Sequence, residues 1–165
     1  MYNLYRYDLD RDDFEKADDM PFYIKSVRAG LFNLSLPNEK PSISKKALRA
    51  LFSVITFGKF WIYYVVTDKN EIVHTSYLLG KCYKFPFMSK NDYEIGPCVT
   101  KKQFRGKGIY PNVIRYIISD VKDKAKTLYM FCNESNYASI RGIVKAGFKD
   151  DGNLERNAFK IYVRK

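Results

Sequence analysis

A single histidine, His74, and three cysteines, Cys82, Cys98 and Cys132, are all that the 165-residue chain offers as imidazole or thiolate metal ligands. An odd number of cysteines with no C-x-x-C pair argues against a disulfide framework and against a zinc site. No apolar run approaches the ~20 residues of a membrane-spanning helix. The opening stretch MYNLYRYDLDRDDFEK has no apolar signal core and carries acids where a transit peptide avoids them. Cytoplasmic residence is therefore expected. Acids are scarce as well, 18 against 29 basic residues, which leaves a formal net charge of +11 at pH 7. That balance concentrates anions such as nucleotides, phosphorylated cofactors, nucleic acids or acidic lipids. Lysines scatter along the whole chain, so a solubilising surface is the plainer account of the charge.

Aromatic residues, by contrast, are plentiful, with 14 Tyr and 12 Phe in a chain that is 46% apolar. Such a composition belongs to a globular protein, and the length suits one domain with one substantial core. Residues 2–8 read as a strand broken by DLDRDD, and a weakly patterned region follows to about residue 36. LPNEKP is a loop. Ser42 or Ser44 then caps a helix whose apolar positions are Ala47, Leu48, Leu51, Phe52 and Ile55. FWIYYVV (60–66) is a continuous apolar run and reads as a buried strand, paired in a hairpin with 72–79 across the turn TDKNE. GKCYKFPFMSKND is a loop and YEIGPCVT (93–100) another strand.

Beyond it, Val113, Ile114, Ile117, Ile118 and Val121 define one face of a helix that starts after Gly108, with Pro111 in its first turn. TLYMFC (127–132) is a strand, a helix begins near Asn136 with Ile140, Ile143, Val144 and Gly147 at helical spacing, and AFKIYVRK alternates as a closing strand. This order predicts an α+β (α/β three-layer) domain with one mixed central sheet.

The segment FRGKGIY joins a strand to a helix through two glycines in a cluster of cations, Lys101, Lys102, Arg105 and Lys107. A helix N-terminus presents unpaired N–H groups and partial positive charge, which suits a phosphate. The spacing is neither that of a Walker A loop nor G-x-G-x-x-G, since Pro111 stands three residues after Gly108. A tight connection is the plainer reading of the glycines alone.

FRGKGIY followed at this distance by NYASIRGIVKAGF resembles the GCN5-related N-acetyltransferases, the GNAT superfamily. Arg105 and Gly108 match the first and fourth positions of their Q/R-x-x-G-x-G/A motif, and Asn136, Ser139 and Gly147-Phe148 match the following helix. The likeness covers about residues 60–165. It implies a sheet of about seven strands splayed between the fourth and fifth. It also implies one acetyltransferase domain over 1–165, with 1–58 on the acceptor side and 59–165 as the cofactor-binding core. Acetyl-CoA is the cofactor implied. Cys98, Val99 and Thr100 would lie along its pantetheine arm, the amides of Arg105, Gly106, Lys107, Gly108, Ile109 and Tyr110 around its pyrophosphate, and Asn136 and Ser139 beside its lower part. The reaction implied is direct attack by a primary amine in a ternary complex, with an amide near Cys98 or Val99 stabilising the oxyanion. No metal is implied, and the protein would act as a monomer or homodimer on a small-molecule amine. A fainter likeness of GKGIYPNVI points to an amino sugar or nucleotide-linked amino sugar.

Two positions depart from the pattern. The last residue of the loop motif, Gly or Ala in most relatives, is Tyr110. The tyrosine that many relatives use as general acid toward the CoA thiolate is replaced by Ile143. Glu94 is the first candidate for the base that takes the ammonium proton, although a solvated strand-end glutamate is the plainer reading. His74 is the second, against a structural role in its strand. Glu155 is a third residue that could face the acceptor. Two other functions stay open on sequence grounds. One is a basic nucleic-acid or ribosome-associated module, against which the aromatics fall mostly in runs that read as core. The other is a degenerate domain that binds acyl-CoA as a sensor.

Overall fold

The computed structural model describes residues 1–10, 22–31 and 33–165. Residues 11–13 of the break at DLDRDD, and 14–21 and 32 of the weakly patterned stretch, lie outside the described residues. Within them the strands are β1 (Tyr2–Asp8), β2 (Tyr23–Arg28), β3 (Phe60–Val66), β4 (Ile72–Gly80), β5 (Asp92–Thr100), β6 (Thr127–Asn133), β7 (Lys149–Arg156) and β8 (Tyr162–Arg164). The helices are α1 (Ile43–Ile55), α2 (Ile109–Val121) and α3 (Tyr137–Lys145), with a single 3-10 turn at Lys102–Phe104. All eight strands form one sheet in the order β2-β3-β4-β5-β6-β1-β7-β8.

The sheet is sandwiched because β3 is apolar on both faces. Tyr63 and Val65 join the buried face of α2, where Val113, Ile114, Ile117, Ile118 and Val121 pack as their spacing predicts. Ile62, Tyr64 and Val66 point the other way and pack with Phe52 of α1. Farther along that second face the 81–90 loop contributes Cys82, Phe85 and Met88 to a cluster with Leu4, Tyr129 and Leu154.

Several expectations need correction. The sheet, of about seven strands as expected, has eight; what was not expected is Tyr23–Arg28, which adds as an edge strand along β3. Its residues are mostly exposed, so they show neither a clean alternation nor an apolar run. Residues 149–156 form a further strand, β7, ahead of the closing one, and the expected strand 158–165 is reduced to three residues. In α1 Ser42 is the cap, accepting from the Lys45 amide, but Leu48 and Leu51 are exposed and the buried face holds Arg49, Phe52 and Ser53. Arg49 tolerates complete burial because its guanidinium is fully engaged. It donates to Glu39 Oε2 at 2.6 Å, to the Leu34 carbonyl at 2.7 Å and to the Tyr77 hydroxyl at 3.1 Å. In α3 Val144 is exposed, and Gly147 follows the helix with φ +93°.

One irregularity opens the sheet. Strands β5 and β6 pair in parallel only from Asp92 to Glu94, against Thr127 to Tyr129, and then diverge. On its other side β5 stays with β4, but the register shifts by one residue between Ser76/Cys98 and Leu78/Ile95. The extra residue falls at Gly96-Pro97, where Pro97 has no N–H for a ladder. A bulge bends the strand, and here it bends β5 away from β6. It also reverses the facing of residues 98–100, so that Cys98 and Thr100 turn toward α2 while Val99 is exposed.

Candidate active site

Two cavities occupy the opening between the diverging strands. The larger, of about 690 Å³, lies between the end of β5, the glycine loop and α3. The smaller, of about 350 Å³, lies between β5, β6 and the 81–90 loop. They share Cys98, Tyr110, Asn136 and Ser139. An extended molecule in one can therefore present its end to the other.

The larger cavity is built chiefly from backbone. Gly106 and Gly108 have φ of +76° and +72°, a conformation that carries a steric cost for any residue with a Cβ. Gly108 ends the loop as the N-cap of α2, and no side chain caps the helix. The amides of Ile109 and Tyr110 therefore lack a partner inside the helix and open toward the cavity. Arg105 is held in place by donating from Nε to the Thr100 carbonyl at 3.1 Å. Asn136 caps α3, its side chain accepting from the Ser139 amide at 3.2 Å.

Of the residues expected around a cofactor, Cys98, Val99, Thr100, Arg105, Gly106, Gly108, Ile109, Tyr110, Asn136 and Ser139 line this cavity. Lys107 does not; its ammonium lies 5.3 Å from the centroid of the Phe104 ring. Lys101 is also engaged elsewhere, 2.8 Å from Glu71. The cations that do line the wall beside Arg105 are Arg141 and Lys145. They were missed in the sequence, although their i, i+4 spacing on α3 puts them on one face.

Tyr110 answers the question its position raises. Its ring turns away from the glycine loop, crosses to α3 and packs on Gly142, where a Cβ would collide with it. The ring centroid lies 6.1 Å from that of His74, and the Ser139 side chain lies near the hydroxyl. Burial pushes the pKa of the phenol up, with the neighbouring Cys98, Cys132 and Glu94 acting in the same direction. Tyr110 thus remains a protonated hydroxyl at the junction of the two cavities. Ile143 is fully buried in the core beneath it.

Glu94 lines the smaller cavity and is itself buried. Its carboxylate curls over Gly96, where a Cβ would strike Oε1. Burial raises its pKa well above the ordinary carboxylate range, and only the charge of Lys84 opposes this. Burial thus favours the protonated form of this carboxyl, a perturbation found where a group exchanges protons in a cleft.

His74 lines neither cavity. Its Nδ1 lies 2.7 Å from Thr100 Oγ1 and its Nε2 2.7 Å from Ser76 Oγ, and burial lowers its pKa to about 4. Both ring nitrogens are thus engaged, Nδ1 across to β5 and Nε2 within β4. Burial pushes the Cys98 thiol up to about 12, with the nearby Ser76 side chain opposing the shift. That thiol is not a thiolate near neutrality, and a covalent acyl-cysteine has no support. Glu155 is exposed on β7 and pairs with Lys165 at 2.8 Å, away from both cavities. The described residues contain no cluster that would hold a metal ion and no helix long and apolar enough to cross a membrane.

No family model matches the sequence, and no curated protein does. Solved structures match with high significance. A tandem GNAT protein from the clavulanic acid biosynthesis pathway superposes with a TM-score of 0.60 at 14% identity, covering 90% of this chain and 50% of that one. The chain has the GNAT fold. A GNAT-family acetyltransferase from Colwellia psychrerythraea gives 0.59 at 15% identity, over 91% of this chain and 52% of its own. The aminoglycoside acetyltransferase AAC(6')-Ib, in complex with coenzyme A and kanamycin, gives 0.61 at 14%, over 86% and 92%. The chain therefore spans about half the length of the first two and most of the third. In the GNAT fold of this chain the divergence lies between the strands that the sequence placed fourth and fifth. They are β5 and β6 here because β2 precedes them.

Proposed function

We propose that the protein is an acetyl-CoA-dependent N-acetyltransferase acting on a small primary amine by direct attack in a ternary complex. The observation that carries this reading is the meeting of two cavities at Tyr110 and Cys98. One is built for an anion from backbone amides and the other holds a buried carboxyl with a raised pKa. The residues present fit the cofactor. The amides from Arg105 to Tyr110, with Arg141 and Lys145, suit a pyrophosphate, and the edge of β5 from Cys98 to Thr100, unpaired toward β6, suits an amide-bearing arm. When bound, acetyl-CoA supplies an acyl thioester.

Glu94 takes the proton of the incoming ammonium, directly or through a water. A backbone amide at Cys98 or Val99 polarises the carbonyl under attack. Tyr110 donates its hydroxyl hydrogen to the sulfur that departs, with Ser139 behind it. It serves from α2 the place that many relatives fill from α3, where this chain has Ile143. An amino sugar is one candidate acceptor, expected from the sequence, and small molecules of that size suit the cavity.

The test is release of the CoA thiol from acetyl-CoA across a panel of amines, run beside a direct measurement of CoA binding. Turnover with at least one primary amine is expected. Binding of CoA without thiol release from any amine would make the protein an acyl-CoA sensor, and failure to bind CoA would overturn the reading altogether.

A further inference from the structure

We infer that the acceptor is a small zwitterionic amine, an α-amino acid or close analogue with a large apolar side chain, whose carboxylate is held by Lys84. The inference rests on the acyl-transfer reading above and adds the acceptor's class. The smaller cavity carries one basic and one acidic side chain, Lys84 and Glu94. Lys84 is half-buried, its ammonium 5.1 Å from the centroid of the Phe52 ring. Among the described residues no carboxylate lies within salt-bridge distance of it. An ammonium held against an aromatic face, with Glu94 acting on it only from beyond salt-bridge distance, is suited to an anion brought in by the ligand.

The position of Lys84 is not incidental. Its carbonyl accepts from the Tyr162 amide at 2.9 Å, which ties the loop to the C-terminal strand and fixes one wall of the cavity. That wall is aromatic. Phe85 stacks on Tyr162 with centroids 5.7 Å apart, and Phe131 lies 4.5 Å from Tyr162. Such a surface accepts an apolar side chain. With the amine beside Glu94 and the carboxylate at Lys84, the three substituents of an α-amino acid each meet matching chemistry.

The same features disfavour other amines. A polycationic acceptor brings further positive charge against Lys84. A nucleotide-linked sugar brings a diphosphate, for which one lysine is a sparse partner. At about 350 Å³ the cavity sits at the small end of the range for small-molecule sites.

Thiol release is measured with phenylalanine, phenylalaninamide, glucosamine and kanamycin, using the full chain and its Lys84→Gln and Lys84→Arg variants. The wild type is expected to favour phenylalanine over its amide by about 10- to 100-fold in kcat/KM, with the difference in KM. Lys84→Gln brings that ratio close to one, and Lys84→Arg restores most of it. CoA affinity, set at the other cavity, reports that each variant is folded. Equal use of acid and amide, a preference for glucosamine or kanamycin, or a ratio unmoved by Lys84→Gln overturns the inference while acetyl transfer itself stands. If CoA binds and no amine releases thiol, the acyl-transfer reading falls and this inference falls with it.

Discussion

The two cavities that meet at Tyr110 are made in different ways. The larger is built chiefly from consecutive residues, the end of β5 and the glycine loop, closed by the first turn of α2 and by one side of α3. Its chemistry is chiefly that of backbone amides at a helix start, joined by the cations Arg141 and Lys145. The smaller is built from side chains that are distant in sequence: Phe52 from α1, Lys84 and Phe85 from a loop, Glu94 from β5, Phe131 from β6 and Tyr162 near the C-terminus. Backbone-built sites reveal themselves as local motifs. Side-chain-built sites exist only once the chain has folded, and substitution can reshape them without touching the first kind.

Variants can separate the two. The largest effect is expected for Glu94→Gln, which keeps the shape of the carboxyl but removes its basicity. The turnover number should fall by about 10²- to 10⁴-fold while CoA affinity changes little. In the wild type, kcat/KM should rise with pH through a value above the ordinary carboxylate range, because Glu94 must lose its proton to act. Steady-state rates across pH check both statements, and a flat profile would remove Glu94 from the mechanism. Gly108→Val addresses the other cavity. Its φ of +72° disfavours a β-branched residue, so CoA binding should weaken by roughly 5- to 30-fold. Calorimetric titration with CoA measures this, and an unchanged affinity would mean that the loop does not hold the cofactor.

At the junction, Tyr110→Phe removes one hydroxyl and keeps the ring packed on Gly142. The expected outcome is a fall in kcat of about tenfold with CoA affinity nearly constant. Loss of binding instead would show Tyr110 to be a structural prop of the loop. The smallest effect concerns the support of the smaller cavity, where Glu39 anchors Arg49 and so α1 with its Phe52. Burial pushes the pKa of Glu39 up, but hydrogen bonds from Arg49 and Lys45 outweigh it and bring the group to about 2. A depressed carboxyl contributes stability above its unfolded value, near 4.5, and loses it as pH falls toward 2. Glu39→Gln should therefore lower Tm by roughly 5–10 °C at pH 6, and the gap to wild type should narrow toward pH 2. Thermal melts of both proteins over that range provide the check.

Much of the fold was legible because its signals are local. The buried face of α2 comes from a 3.6-residue period, β3 from an unbroken apolar run, and the loop after β5 from its glycines. What was misread failed for physical reasons. Strand β2 has no buried face to pattern it, so only pairing with β3 makes it a strand. In α1, Leu48 and Leu51 carry the helical period yet face outward. The helix is oriented by Arg49, whose burial depends on Glu39 and Tyr77, and no periodicity encodes such partners. Glu94 was nominated as a base on resemblance, but its burial and raised pKa come from the covering loop and from Gly96. Arg141 and Lys145 were in plain sight as an i, i+4 pair, but their relevance needed the position of α3 against the cavity.

The sequence by itself determined the element order, the glycine loop at the head of α2 and the two departures, Tyr110 and Ile143. These are properties of short stretches, set by backbone conformation and hydrophobic period. Only the tertiary structure decided that the two departures belong together, since the Tyr110 ring reaches across to the helix that carries Ile143. It also decided that His74 is a clamp between strands, and that Lys84 and Glu94, ten residues apart on a loop and a strand, face one cavity. The physical reason is the bulge at Gly96-Pro97. One extra residue parts β5 from β6 and turns Cys98 toward α2, and the space so opened brings together groups that no spacing in the chain relates.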